Sequence, residues 1–293
     1  MSTLATPLVS LLAPVLPAPV AAWAGAPCLA SAGGFIDHVL PHEIPGLRFG
    51  GFSVTNTLFM LVASSVLMLI VFPRIARKGG GVPTGSRNLF ETILEFLREQ
   101  VVRPSLHEAT DRFMPLLWTM FFLILFANLL GALPIAAVLT LVTGKETAWG
   151  GTATGDISIT LALALCSFFA IHIAGIRSNG FAKYAKSFAP HVPWPLLILL
   201  VPLEILAAFV KPFALCIRLF ANMIAGHIVL AILLSFTGIL AAGLTGMSAG
   251  VSVASVLGAV VIGLLEIFVA FLQAYIFTFL TTLFLGMAVH PEH

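Results

Sequence analysis

Charge is what this sequence has least of. Only 9% of its 293 residues are Asp, Glu, Lys or Arg, against about a quarter in a soluble domain, so a surface that faces water on every side is excluded. The 14 Lys+Arg and 12 Asp+Glu nearly cancel, leaving a formal +2. That excludes both the basic face of a nucleic-acid binder and the acidic run of a disordered tail. Cysteine is scarce as well: Cys28, Cys166 and Cys216 are scattered and odd in number, which provides neither a disulfide framework nor metal-ligand spacing. No G-x-x-x-x-G-K-[ST] string occurs, and Gly79-Gly80-Gly81 is a linker without a following Lys-Ser/Thr, so no nucleotide is bound by this chain. Short alternating strands are also missing, and with them the outer-membrane barrel, because the apolar runs are too long.

Apolar residues make up 59% of the chain, with 24 Phe. Helices satisfy their own backbone in lipid, and about 20 apolar residues cross a membrane core. Five runs meet that length: Thr55 to Phe72, Phe113 to Val142, Asp156 to Ile176, Pro195 to Phe236 and Val251 to Ala288. Asn88 to Val102 places Leu89, Phe90, Ile93, Leu94, Phe96 and Leu97 near one helical face and Glu91, Glu95, Arg98 and Glu99 opposite, the pattern of an amphipathic helix on the membrane surface. The reading is an all-α polytopic membrane protein with five transmembrane spans and one amphipathic surface helix. The last two runs exceed a perpendicular crossing and form a long tilted hairpin.

Basic residues orient it. Arg74, Arg77 and Lys78 follow the first run, and Arg177, Lys183 and Lys186 follow the third. The positive-inside rule therefore puts both loops in the cytoplasm, with the N-terminus outside and the C-terminus inside a bacterial plasma (inner) membrane. The chain divides into an N-terminal extracytoplasmic segment, 1–54, and a membrane domain, 55–293. Residues 1–34 contain no Asp, Glu, Lys, Arg or His; Ala22-Trp23-Ala24 and Ala30-Ser31-Ala32 resemble cleavage sites, but a basic n-region is missing, so the stretch is only signal-like. Asp37 to Arg48, with His38, His42 and Glu43, matches no metal signature and is read as a solvated loop.

Four charges stand inside the apolar final third: Glu204, Lys211, Arg218 and Glu266. Each costs on the order of 3 kcal/mol at a helix centre on insertion scales, so each needs a function or a partner. Glu204, Lys211 and Arg218 are seven apart and share one stripe, Asn222 follows one turn later, and His227, nine residues on, points to roughly the opposite side. Glu266 and Gln273, again seven apart, share a face of the next helix. A His and a Glu facing each other across that antiparallel pair would titrate together and suit proton passage. The structural alternatives are a salt bridge from Arg218 to Glu204 or Glu266, and one from Lys211 to Glu266. His172 reads as a hydrogen-bonded interhelical group, whereas Asn128 fits interhelical glue and a polar water path equally well.

The stretch Arg218-Leu219-Phe220-Ala221-Asn222-Met223-Ile224-Ala225-Gly226-His227, preceded by Glu204 and Lys211-Pro212 and followed by Glu266 and Leu272-Gln273-Ala274-Tyr275-Ile276-Phe277, resembles the subunit a family of F-type ATP synthases. Phe126-Ala127-Asn128-Leu129-Leu130-Gly131 with Leu133-Pro134 resembles the same family. The resemblance implies a non-catalytic proton-translocating stator subunit, without cofactor. Its partners would be the c-ring, the subunit b peripheral stalk, the rest of the complex and the lipid bilayer. It implies that Arg218 faces the c-ring carboxylate, that Asn222, His227, Glu266 and Gln273 line the outer half-channel, and that Glu204, with Lys211 and Ser187, lies toward the cytoplasmic one. His227 and Glu266 stand exchanged relative to many bacterial members, the arrangement of mitochondrial ones. A stand-alone transporter or ion channel using the same charges is the alternative function.

Overall fold

The computed structural model describes residues 43–49, 52–76, 85–133, 152–187, 194–241 and 246–290; the signal-like stretch 1–34, Asp37, His38 and His42 lie outside them. Within the expected loop, β1 (Glu43–Phe49) instead pairs antiparallel with β2 (Phe52–Thr55), with Phe49 opposite Phe52.

The helices follow in chain order: α1 (Asn56–Ala76), α2 (Ser86–Phe96), α3 (Thr110–Ala132), α4 (Ile157–Asn179), α5 (Phe181–Ser187), α6 (Trp194–Ala241) and α7 (Gly246–Val289). Among the described residues five helical segments are long and apolar enough to cross a membrane, so the chain is a polytopic helical membrane protein. At 1.5 Å per residue the 48 residues of α6 and 44 of α7 extend about 72 and 66 Å, more than twice a hydrocarbon core of about 30 Å. They pair antiparallel as the long hairpin.

α2 lies amphipathically against the bundle. Its Phe90 packs on Phe72 of α1 and Phe122 of α3, while Leu89 and the acidic face stay exposed. A π-helical stretch, Leu97–Val102, continues α2 and buries Leu97, Val101 and Val102 almost completely. Arg98 donates to Asp111 at 2.6 Å and Arg103 to Glu99 at 2.6 Å, exposed pairs that add only about 0–1 kcal/mol each. The join is therefore held by the apolar contacts.

The expected second span runs to Val142, but α3 ends at Ala132 and Leu133 is extended (ψ 132°). The cause is Pro134, whose ring disfavours α geometry in the residue before it. Residues 134–142 lie outside the described residues. Asp156 then starts α4: its Oδ1 accepts from the Ser158 N–H at 2.8 Å and its Oδ2 from the Thr57 hydroxyl at 3.0 Å. One carboxylate thus caps α4 and ties it to the start of α1. The preceding 3-10 turn Ala153–Gly155 is fully buried, and Thr154 donates to Asn128 Oδ1 of α3 at 2.7 Å.

Two contacts set the register of α4 against α6. Thr160 Oγ1 meets Cys216 Sγ at 3.4 Å, and the Phe168 and Phe209 rings lie 5.4 Å apart. For α6 against α7 the markers are His227 with Glu266 and Lys211 over the Phe284 ring, 4.9 Å from its centroid.

Candidate functional site

α6 carries the intramembrane charges because its polar residues recur at helical spacing on an otherwise apolar rod. Leu215, Cys216, Leu219 and Met223 are buried against the bundle, whereas Arg218 and Asn222 are exposed. Arg218 forms no ion pair among the described residues. Glu204 lies 14 positions away, about 21 Å of helical rise, which removes the Arg218–Glu204 alternative. The guanidinium therefore presents an unneutralised charge on the apolar outer face of the bundle.

Half a turn around α6, His227 points inward. Its Nε2 lies 3.7 Å from Glu266 Oε1 of α7, and both side chains are nearly buried, at 10% and 7% exposure. The facing of the histidine and the carboxylate expected from the spacing is what the helix pair produces. Glu266 pairs with His227 rather than Lys211, whose ammonium sits over Phe284 instead.

The 3.7 Å separation is too long for a direct hydrogen bond. His227 Nε2, Glu266 Oε1 and Gln273 Nε2 are all buried without a protein partner. A cavity of about 210 Å³ adjoins them, lined by Asn222, Gly226, Glu266 and Gln273 from the hairpin and by Asn128 from α3. The rest of its lining is apolar, Met223, Val229, Ile262 and Leu265 among it, so four polar side chains face a largely apolar space. Asn128 holds the 3-10 turn before α4 through Thr154, not a neighbouring helix, and also lines this cavity.

Gly226 directly precedes His227 on α6. A Cβ built there would stand 3.1 Å from Glu266 Oε1 and 3.4 Å from its Cδ, so the glycine leaves the space that lets the carboxyl group rest against α6. Gly226→Ala is expected to push Glu266 away from His227 and lower proton flux several-fold while the complex still assembles, measured as passive proton uptake by vesicles. Flux equal to the parent would show that the close approach has no functional weight.

A second cavity, about 530 Å³, lies at the other end of the hairpin. Glu204 and Lys211 of α6 line it, with Phe284 and His290 from α7, His172 from α4 and Tyr184 from α5. His172 differs from the sequence expectation: its Nδ1 bonds Phe168 O of its own helix at 2.9 Å, not a neighbouring helix. The side chain of Ser187 lies outside the described residues.

The two cavities do not meet inside the bundle. On α6 the larger one ends at Leu215 and the smaller begins at Asn222; on α7 they are bounded by Leu283 and Gln273. Cys216, Leu219, Ala274 and Phe277, with the threonines Thr278, Thr281 and Thr282, fill the interval at 0–1% exposure. Arg218 stands at that level on the outside.

Residues 57–286 match the family described as ATP synthase A chain. The chain belongs to this family. Members similar to it include ATP synthase subunit a of Myxococcus xanthus, 42% identical over 258 residues that cover 86% of this chain and 78% of that protein. ATP synthase subunit a 2 of Prosthecochloris aestuarii is 37% identical over 257 residues, 85% of this chain and 74% of the relative. The subunit a of an Anaeromyxobacter species is 40% identical over 265 residues, but that match covers only 60% of its longer chain. This ATP synthase A chain carries Arg218, Asn222 and His227 on α6 and Glu266 and Gln273 on α7, with Arg218 exposed on the outside of the bundle.

Proposed function

We propose that this chain is the proton-translocating stator subunit of an F-type ATP synthase, not catalytic by itself, with the exposed strip of α6 around Arg218 running against the c-ring. Membrane domain 55–293 also meets the subunit b stalk and the remainder of the complex, while ATP chemistry belongs to other subunits. The observation that carries this reading is the pair of cavities separated by a packed, mostly apolar layer, with an arginine outside that layer that forms no ion pair among the described residues. The layer leaves no open passage joining the two cavities, so the route between them passes along the outer face, where a moving carboxylate can carry protons.

The outer half-channel is the cavity of Asn222, Glu266 and Gln273, with His227 reached through Glu266. A proton arriving there reaches an ionised rotor carboxylate and neutralises it, which lets that subunit enter lipid. A subunit returning from lipid meets Arg218, whose permanent charge favours the ionised carboxylate. The released proton leaves through the cavity of Glu204 and Lys211. The same guanidinium repels protons that would pass directly between the cavities. Moving one charge through the membrane potential supplies about 2.3 kcal/mol per 100 mV, so several protons are needed for each ATP. A stand-alone transporter would need its own substrate gate, and the apolar layer supplies none.

The outer cavity opens to the outside of a bacterial inner membrane and the inner cavity to the cytoplasm, with the C-terminus inside, as the basic loops imply. Side-specific thiol labelling tests this. In the assembled complex, with Cys28, Cys166 and Cys216 replaced by Ala, Gln273→Cys is expected to react with a membrane-impermeant reagent from outside only, and Glu204→Cys from inside only. Reaction of both from one side would refute two half-channels.

A further inference from the structure

α4 brings into the inner cavity a titratable group for which the mechanism above has no use. The Nδ1 of His172 lies 2.9 Å from the Phe168 carbonyl oxygen. A carbonyl only accepts, so Nδ1 carries the ring hydrogen and Nε2 keeps its lone pair. The ring is held in place: its centroid is 4.0 Å from that of Phe168 and 6.0 Å, edge to face, from that of Tyr184. Nothing in this arrangement ties a second helix through the imidazole.

Register fixes its depth. In an antiparallel pair, each step forward along α4 is matched by one step back along α6. Thr160 meets Cys216, so His172, twelve residues on, stands level with Glu204, twelve residues back, about 18 Å toward the inner end. The Phe168–Phe209 contact gives the same register to within one residue. His172 and Glu204 line the same cavity, and so do Ala208 and Pro212. Pro212 has no N–H to give to the Ala208 carbonyl, which adds an acceptor for water at this depth.

We infer that His172 is a proton-transfer residue of the inner half-channel, its Nε2 passing protons between cavity water and the cytoplasmic mouth. This rests on the proposed stator function. Nε2 accepts a proton from water in the cavity and forms an imidazolium that retains the Nδ1 hydrogen; it then releases the Nε2 proton to water nearer the mouth, restoring the neutral ring. The titratable groups facing it across the cavity are His107 from the turn after α2, Tyr184 from α5, Glu204 and Lys211 from α6, and His290 at the end of α7. Burial raises the Tyr184 phenol above its ordinary value, which keeps it neutral. His107 and His290 are exposed at the rim, with ring centroids 6.2 Å apart. His172 is the imidazole at Glu204 depth.

The test uses the intact complex carrying His172→Phe or His172→Gln. Phe keeps an aromatic ring between Phe168 and Tyr184, and Gln keeps a donor for the Phe168 carbonyl, so at least one variant preserves the packing. Passive proton flux through membranes stripped of the catalytic sector is expected to fall several-fold in both and to change its dependence on pH. Imidazole added to the buffer is expected to restore much of the flux in the variants without raising that of the parent. An assembled variant with flux within about twofold of the parent, or a loss that leaves the pH profile unchanged and that imidazole does not relieve, would overturn the inference. Arg218→Ala measured alongside separates the two readings. Coupled pumping that survives Arg218→Ala sinks the stator function itself, whereas its loss there with unaltered flux in both His172 variants sinks only the role of His172.

Discussion

Arg218→Ala abolishes ATP-driven proton pumping while the complex still assembles; that is the largest effect expected of any substitution in this chain. Assembly is preserved because the side chain is exposed on α6 and joins no ion pair among the described residues, so its loss opens no packed layer. The functional loss follows from Coulomb's law. At about 4 Å and an effective dielectric of about 20, a guanidinium stabilises a carboxylate by roughly 4 kcal/mol, which corresponds to about three pKa units. Without that charge a rotor carboxylate returning from lipid stays protonated at the stator, and its proton is not released to the inner cavity. Fluorescence quenching by ATP-driven acidification of inverted vesicles reads the result, with co-purification of the chain as the assembly control. Continued coupled pumping would remove Arg218 from the mechanism.

The second large effect concerns the His227–Glu266 pair. His227→Glu alone would place two carboxyl groups at the present 3.7 Å separation, where ionising one disfavours ionising the other. Glu266→His alone would leave two imidazoles and no acid partner, again with Gln273 unsatisfied beside them. Either single change is expected to reduce pumping by more than about tenfold, within the range assigned to a positioned acid–base group. The double exchange restores one acid and one imidazole across the same cavity, and its activity is expected to recover well above either single variant. Gly226 limits the recovery, since its missing Cβ makes room for a carboxyl group approaching from α7. A double variant no better than the worse single one would show that the two side chains act independently.

Hydropathy alone located all five spans because lipid demands one thing of a crossing segment, about 20 residues without an unsatisfied polar group. It located their ends less well. Pro134 stops α3 ten residues before the apolar run ends at Val142, whereas Pro73 lies inside α1, which continues to Ala76. Pro134 acts on the residue before it, Leu133, which leaves helical geometry, whereas the chain at Pro73 stays helical through Ala76 despite the N–H it lacks toward the Leu69 carbonyl. Around β1, Pro45 and the neighbouring charges carry the signature of a loop in the sequence, and it is the pairing with β2 that makes the segment a strand.

Helical periodicity put Arg218 and His227 on opposite sides of one helix, and Glu266 and Gln273 on a common face of the next, since rotation per residue is a property of the backbone. Which face meets which lies beyond that reach. Only the packed bundle decides that Glu266 meets His227 instead of Lys211, that Gly226 makes room for it, and that His172 bonds its own helix and looks into a cavity. It alone also determines that Leu219, Cys216, Ala274 and Phe277 close the space between two cavities, leaving Arg218 outside the seal. Charge scarcity marks the residues that matter, because in lipid each one must have a reason. Register between helices is set by many small contacts of dispersed residues, and no local pattern in the chain records it.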